Sequence, residues 1–82
     1  TKTAARELGP KGVTVNAVAP GMVMTEMARA LPAEVLDRAL QESAMRELAT
    51  PDDIAAAVVF LLSDMACMIT GEVIRVDAGQ YI

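Results

Sequence analysis

The 82-residue sequence predicts an α/β fold: the C-terminal portion of a doubly wound parallel sheet, its last two strands with their lid and packing helices. Three observations carry this prediction. Residues 13–19 and 73–77 are short runs rich in β-branched side chains, and glycine or proline bounds them. A long stretch of helical pattern separates the two runs. Such a connection suits a crossover between parallel strands rather than a hairpin. Finally, a chain this short that folded alone would normally carry a disulfide framework, a metal site or a dense aromatic core. This one has one Tyr, one Phe, no Trp, no His and a single cysteine, so it reads as a piece of a larger core or as an obligate partner.

Residues 1–8 have the pattern of a helix tail. Gly9 fits the left-handed position after a helix and Pro10 blocks continuation, yet no start signal precedes them, which reads as truncation. A tight turn at 9–12 leads into the first strand, residues 13–19, whose mixed polarity suits a largely buried parallel strand. Pro20-Gly21 ends it. A methionine-rich segment, 22–30, follows. Pro32 then fits the first turn of a helix in which Leu36, Ala39, Leu40 and Ala44 recur at helical spacing. The next helix is the best marked. Thr50 is a natural N-cap, Pro51 suits the first helical position, and Asp52 and Asp53 favour the positive end of the dipole. Its apolar residues, 54–62, surround it, so burial on several sides is expected. The second strand, 73–77, closes the pattern.

Composition excludes several function classes. A formal net charge of −4, with Lys2, Arg6 and Lys11 scattered at one end, gives no basic stripe for nucleic acid. The longest apolar run, residues 54–62, is far short of the roughly 20 residues that span a bilayer, so no membrane partner is expected. Without histidine or a second cysteine there is neither a Cys/His zinc site nor an internal disulfide, and no metal site is expected. A lone cysteine and no targeting segment point to a reducing compartment, the cytoplasm by default.

In open parallel sheets, ligands bind beyond the C-terminal ends of the strands. That rule selects Pro20-Gly21 and the residues after it. Proline fixes its own backbone angle and ends a strand sharply, and a bare glycine lets a flat ring approach the main chain. Val23 offers a backbone N–H and C=O to a carboxamide, and the Thr25 hydroxyl can donate to an amide or phosphate oxygen. A plain Pro-Gly turn with a polar neighbour is the competing explanation.

The stretch Asn16-Ala-Val-Ala-Pro-Gly-Met-Val-Met-Thr25 resembles the Asn-x-Val-x-Pro-Gly-x-Val-x-Thr segment of classical short-chain dehydrogenases/reductases. Four more stretches agree in order and spacing: Leu8-Gly9-Pro10-Lys11-Gly12-Val13, Thr50-Pro51-Asp52-Asp53-Ile54-Ala55, Phe60-Leu61-Leu62-Ser63-Asp64, and Ile69-Thr70-Gly71-Glu72-Val73 with Val76-Asp77-Ala78-Gly79. The resemblance covers essentially the whole chain. It implies a Rossmann-like sheet and the nicotinamide end of NADP or NAD held at Pro20, Gly21, Val23 and Thr25. It also implies a mobile substrate lid bearing Met22, Met24 and Met27. Core or subunit contacts explain these methionines equally well, since methionine fills irregular gaps wherever they occur.

Among relatives, Thr25-Glu26-Met27 and Leu31-Pro32-Ala33-Glu34-Val35 look most like the 3-oxoacyl-(acyl-carrier-protein) reductases, although alcohol, sugar and acyl-CoA dehydrogenases share much of that pattern. The implied substrates are small carbonyls or alcohols, including acyl thioesters. The implied assembly is a homo-oligomer, a tetramer or dimer. The family's Gly-x-x-x-Gly-x-Gly fingerprint, catalytic serine and Tyr-x-x-x-Lys pair are missing here. In the family all of them precede the point where this chain begins. The one tyrosine, Tyr81, has no lysine four residues on. No residue of this chain is therefore expected to be catalytic. The adjacent Asp52 and Asp53 serve a helix start. Asp77 anchors a turn or an interface, and Cys67 lacks any base to activate it. Glu34, Asp37, Arg38, Glu42, Arg46 and Glu47 form a solvated face on which Glu34 and Arg38 stand at i,i+4. Family members commonly have Asp-Gly-Gly at 77–79 and Tyr-Ile-Thr-Gly at 68–71, so this chain departs near its C-terminus. A non-catalytic fragment or subunit that only binds a partner is the alternative of another class.

Overall fold

Two four-residue strands, β1 (Ala17–Pro20) and β2 (Val73–Val76), pair in parallel in the computed structural model, which describes residues 1–80. Ala17 stands opposite Val73 and Pro20 opposite Val76. The crossover expected from the spacing is therefore present. Tyr81 lies outside the described residues.

β1 is shorter at its start than residues 13–19. Side chains replace the ladder there. The Val15 N–H donates to Thr70 Oγ1 at 3.0 Å and the Gly71 N–H donates to the Val15 carbonyl at 2.8 Å. Asn16 clips the same loop from both sides: its Nδ2 donates to the Ile69 carbonyl at 2.9 Å, and its Oδ1 accepts the Glu72 N–H at 3.1 Å. Two motif stretches far apart in sequence thus meet through one amide side chain. Gly71, at φ +75°, turns the chain into β2 in a conformation that L side chains rarely adopt.

Four helices accompany the strands: α1 (Lys2–Leu8), α2 (Glu26–Arg29), α3 (Ala33–Glu42) and α4 (Pro51–Leu61). The expected left-handed Gly9 is corrected by the structure. Gly9 stays right-handed at φ −54°, a 3-10 turn continues through Lys11, and Gly12 takes the left-handed position at φ +77°. Proline is tolerated in that turn because the first N–H groups of a helix need no internal acceptor. Pro32 caps α3 from just outside it, and the helix stops before Ala44. On α3 the ion pair runs from Arg38 to Glu42 at 3.6 Å, not from Glu34 to Arg38. Both partners are largely exposed, so the pair contributes little.

α4 starts as its sequence predicts. The Asp53 N–H donates to Thr50 Oγ1 at 3.3 Å, and the Thr50 N–H donates to Asp53 Oδ2 at 2.8 Å. This reciprocal capping box is the helix-start role expected for Asp53. The backbone N–H of Thr50 first, then its hydroxyl, hold the Asp53 carboxyl below the ordinary value of 3.8.

α4 packs on β1 and β2, and Leu61 is its one buried residue. The burial expected on several sides is not completed within these residues: Val59 is 66% exposed and Leu62 82%. One small sheet covers one helix face, and no second layer exists among the described residues. An apolar groove between β1 and α4, lined by Val15, Val18, Pro20, Ile54, Val58 and Leu61, is equally open. No described helix is long and apolar enough to cross a membrane.

Candidate functional site

Because β1 and β2 are parallel, their C-terminal ends lie at the same end of the sheet. The segment leaving Pro20 and the turn leaving Val76 therefore meet. Gly21 is the point of contact. A Cβ built on Gly21 would lie 2.6 Å from Gln80 Oε1 and 2.7 Å from Asp77 Cβ, distances that side chains do not tolerate. The approach of the 77–80 turn is thus a reason for glycine here that the sequence did not suggest. The Met22 N–H donates to Gln80 Oε1 at 3.0 Å.

The next residues run beside Ala49. Val23 bridges Ala49 in parallel, and the Met24 N–H donates to the Ala49 carbonyl at 2.8 Å. The Thr25 N–H donates to the Val23 carbonyl at 2.9 Å. Among the described residues the Val23 N–H has no protein acceptor. The Thr25 hydroxyl oxygen caps α2 by accepting the Ala28 N–H at 3.2 Å, which leaves its own proton to donate. Pro20, Gly21, Val23 and Thr25 are therefore brought together as one short ledge beyond β1.

The three methionines are not all gathered there. Met22 and Met24 are half-buried beside the ledge, whereas Met27 is 84% exposed on α2. Gln80, which holds the ledge, and Ser43, which holds the same turn from its other side, were not singled out from the sequence. Ser43 is fully buried and donates to the Ala78 carbonyl at 3.0 Å. The parallel pairing was the available signal, because it places the exits of both strands together. Asp77, buried as the anchor of its turn, accepts the Gly79 N–H on Oδ1 at 2.9 Å. Its Oδ2 has no partner among the described residues.

A family model described as enoyl-(acyl carrier protein) reductase matches residues 1–80. The chain belongs to that short-chain dehydrogenase/reductase family. It is 46% identical over 82 residues to the 3-oxoacyl-(acyl-carrier-protein) reductase FabG of Staphylococcus epidermidis, covering 100% of this chain and 34% of the relative. It is 48% identical to an acetoacetyl-CoA reductase of Shinella zoogloeoides, covering 99% of this chain and 34% of that one. The crystal structure of a 3-oxoacyl-(acyl-carrier-protein) reductase from Brucella melitensis superposes with a TM-score of 0.97 at 34% identity. That match spans the whole of this chain and 31% of the other. The chain thus spans about a third of the length of the relatives it matches. Its two strands and four helices are a segment of the Rossmann-like sheet expected above.

Proposed function

We propose that these residues form the nicotinamide-proximal and lid segment of a longer NAD(P)-dependent oxidoreductase that reduces a carbonyl or oxidises an alcohol. The ledge beyond β1 carries this reading. Family membership supplies the context, and the relatives named above are reductases of 3-oxoacyl or acetoacetyl thioesters.

The residues present fit a carboxamide-bearing ring. The Val23 N–H is a donor without a protein acceptor, and the Val23 carbonyl keeps a second lone pair beside the one that the Thr25 N–H uses. The Thr25 hydroxyl, held by its helix-capping bond, presents a proton in a fixed place. These groups would hold the carboxamide, with Pro20 and Gly21 ending the strand beneath it. The half-buried Met22 and Met24 side chains would exclude water. When bound, the nicotinamide supplies or accepts hydride. The family resemblance assigns the proton for the substrate oxygen to a Tyr-x-x-x-Lys pair, which residues 1–82 do not contain. General acid catalysis needs such a positioned donor.

A 3-oxoacyl thioester is the substrate class of this reading. Cytoplasmic location and a homo-oligomeric whole, dimer or tetramer, go with it, and the uncovered apolar surface of α4 supports subunit contacts.

Intact mass and peptide sequencing upstream of Thr1 are the first test. The expected result is a chain of about 25–30 kDa, the size of one α/β domain of this kind, with Tyr-x-x-x-Lys close before Thr1. It should oxidise NADPH or NADH on 3-oxoacyl thioesters. A species of 8.6 kDa with no companion chain and no nucleotide binding would replace this reading with the partner-binding module.

A further inference from the structure

Both ends of the segment between β1 and α4 are tied to the same short turn, residues 77–80. At the front, Gln80 Oε1 accepts the Met22 N–H. At the back, the Ser43 hydroxyl and the Met45 N–H both donate to the Ala78 carbonyl, at 3.0 and 3.1 Å, and the Ala44 N–H donates to the Gly79 carbonyl at 3.3 Å. The turn has its own hydrogen bonds: the Gly79 N–H donates to Asp77 Oδ1, and the Gln80 N–H donates to the Asp77 carbonyl at 3.1 Å.

We infer that Gln80 is a positioning residue for the nicotinamide contact. The inference rests on the reading of the ledge given above and deepens it. The Gly21–Met22 peptide is held by Gln80 and the Val23–Met24 peptide by Ala49, so the unengaged Val23 N–H, in the Met22–Val23 peptide, lies between two fixed peptides. Only the first of these restraints comes from a side chain. The amide orientation of Gln80 follows from chemistry, since a backbone N–H can donate only to Oε1 and not to Nε2. Gly21 lies against the same oxygen, with no room for a Cβ between ledge and turn. Gln80 does not touch the cofactor in this scheme. It sets the direction in which Val23 offers its hydrogen bond.

The test uses the full-length protein that carries this chain, with NADPH fluorescence titration and steady-state kinetics on a 3-oxoacyl thioester. Q80L keeps the bulk and loses the acceptor. It should raise Kd and KM for NADPH about 3- to 10-fold, the loss expected for one mispositioned hydrogen bond, while kcat changes much less. Q80E, which keeps an acceptor oxygen at the same reach, should restore both constants to within about twofold of wild type. If Q80L does not fold, Q80N takes its place, because its carbonyl falls one methylene short of Met22. Amide exchange at Met22 should then quicken together with the rise in Kd. Wild-type binding with Q80L or Q80N unchanged would overturn the role of Gln80 alone. So would a Q80E that binds no better than Q80L. A wild-type protein that binds neither NADPH nor NADH would overturn the ledge reading, and the role of Gln80 with it.

Discussion

At the scale of the residue, Ala78 has a backbone conformation that its side chain disfavours. It sits at φ +54°, in the left-handed region. A Cβ there costs roughly 1 kcal/mol relative to glycine. Ala78→Gly should therefore stabilise the protein, offset in part by the extra freedom glycine gives the unfolded chain. A gain of about 0.5 kcal/mol in urea unfolding is expected, with the m-value unchanged. An equal or lower midpoint would show that the surrounding bonds, not the left-handed backbone, set the energy of this turn. Asp53 yields a second prediction at this scale. Its folded carboxyl titrates below its unfolded one, so its contribution is complete above the unfolded value and disappears as pH falls through the folded one. Asp53→Asn should be less stable than wild type at neutral pH. The gap between the two urea midpoints should stay constant down to about pH 5 and narrow below the ordinary carboxylate value. A gap that is the same at pH 7 and pH 2.5 would remove the charge from the explanation.

Among the elements, α4 carries the most apolar surface and shows the sharpest division of it. Leu61 is buried against the strands, whereas Val59 and Leu62 face outward. Leu61→Ala should cost about 2–4 kcal/mol, through lost burial and the cavity left between helix and sheet. Val59→Ser should cost far less within one chain, since an exposed position has little transfer energy to lose. Chemical denaturation of the two variants separates the faces, and equal losses would mean that the outward face is covered in the complete protein. The start of α4 was readable from Thr50, Pro51 and Asp53 because capping is a local matter of a few neighbouring atoms. Its burial was not, because cover depends on layers that helical periodicity does not count.

For the molecule as a whole, β1 has a partner strand on one side only among the described residues. The groove beside it is apolar, and the core is built almost entirely of alanines, with Leu61 its largest hydrophobic member. Small side chains bury little area each, so residues 1–82 expressed alone should lack a cooperative thermal transition and bind a hydrophobic dye. Circular dichroism and dye fluorescence would measure this. A sharp melt with no dye binding would mean that the segment is a self-sufficient domain.

The sequence by itself determined the fold class, the order of the strands with α1, α3 and α4, and the α4 start, and it singled out Pro20 to Thr25; the short α2 at Glu26–Arg29 was not read from it. Each of these is written in local chemistry: a proline that ends a strand, a threonine that caps a helix, a run of β-branched residues. Motif spacing was also enough to point to the short-chain dehydrogenase/reductase family. Only the tertiary structure decided that the 77–80 turn closes on Gly21, that Asn16 clips the 69–72 loop, and that Gln80 and Ser43 tie the 21–22 and 43–45 segments to one turn. These are contacts between residues dozens of positions apart. They form only because the crossover is parallel and brings the two strand exits to one end of the sheet, and no local preference encodes that meeting.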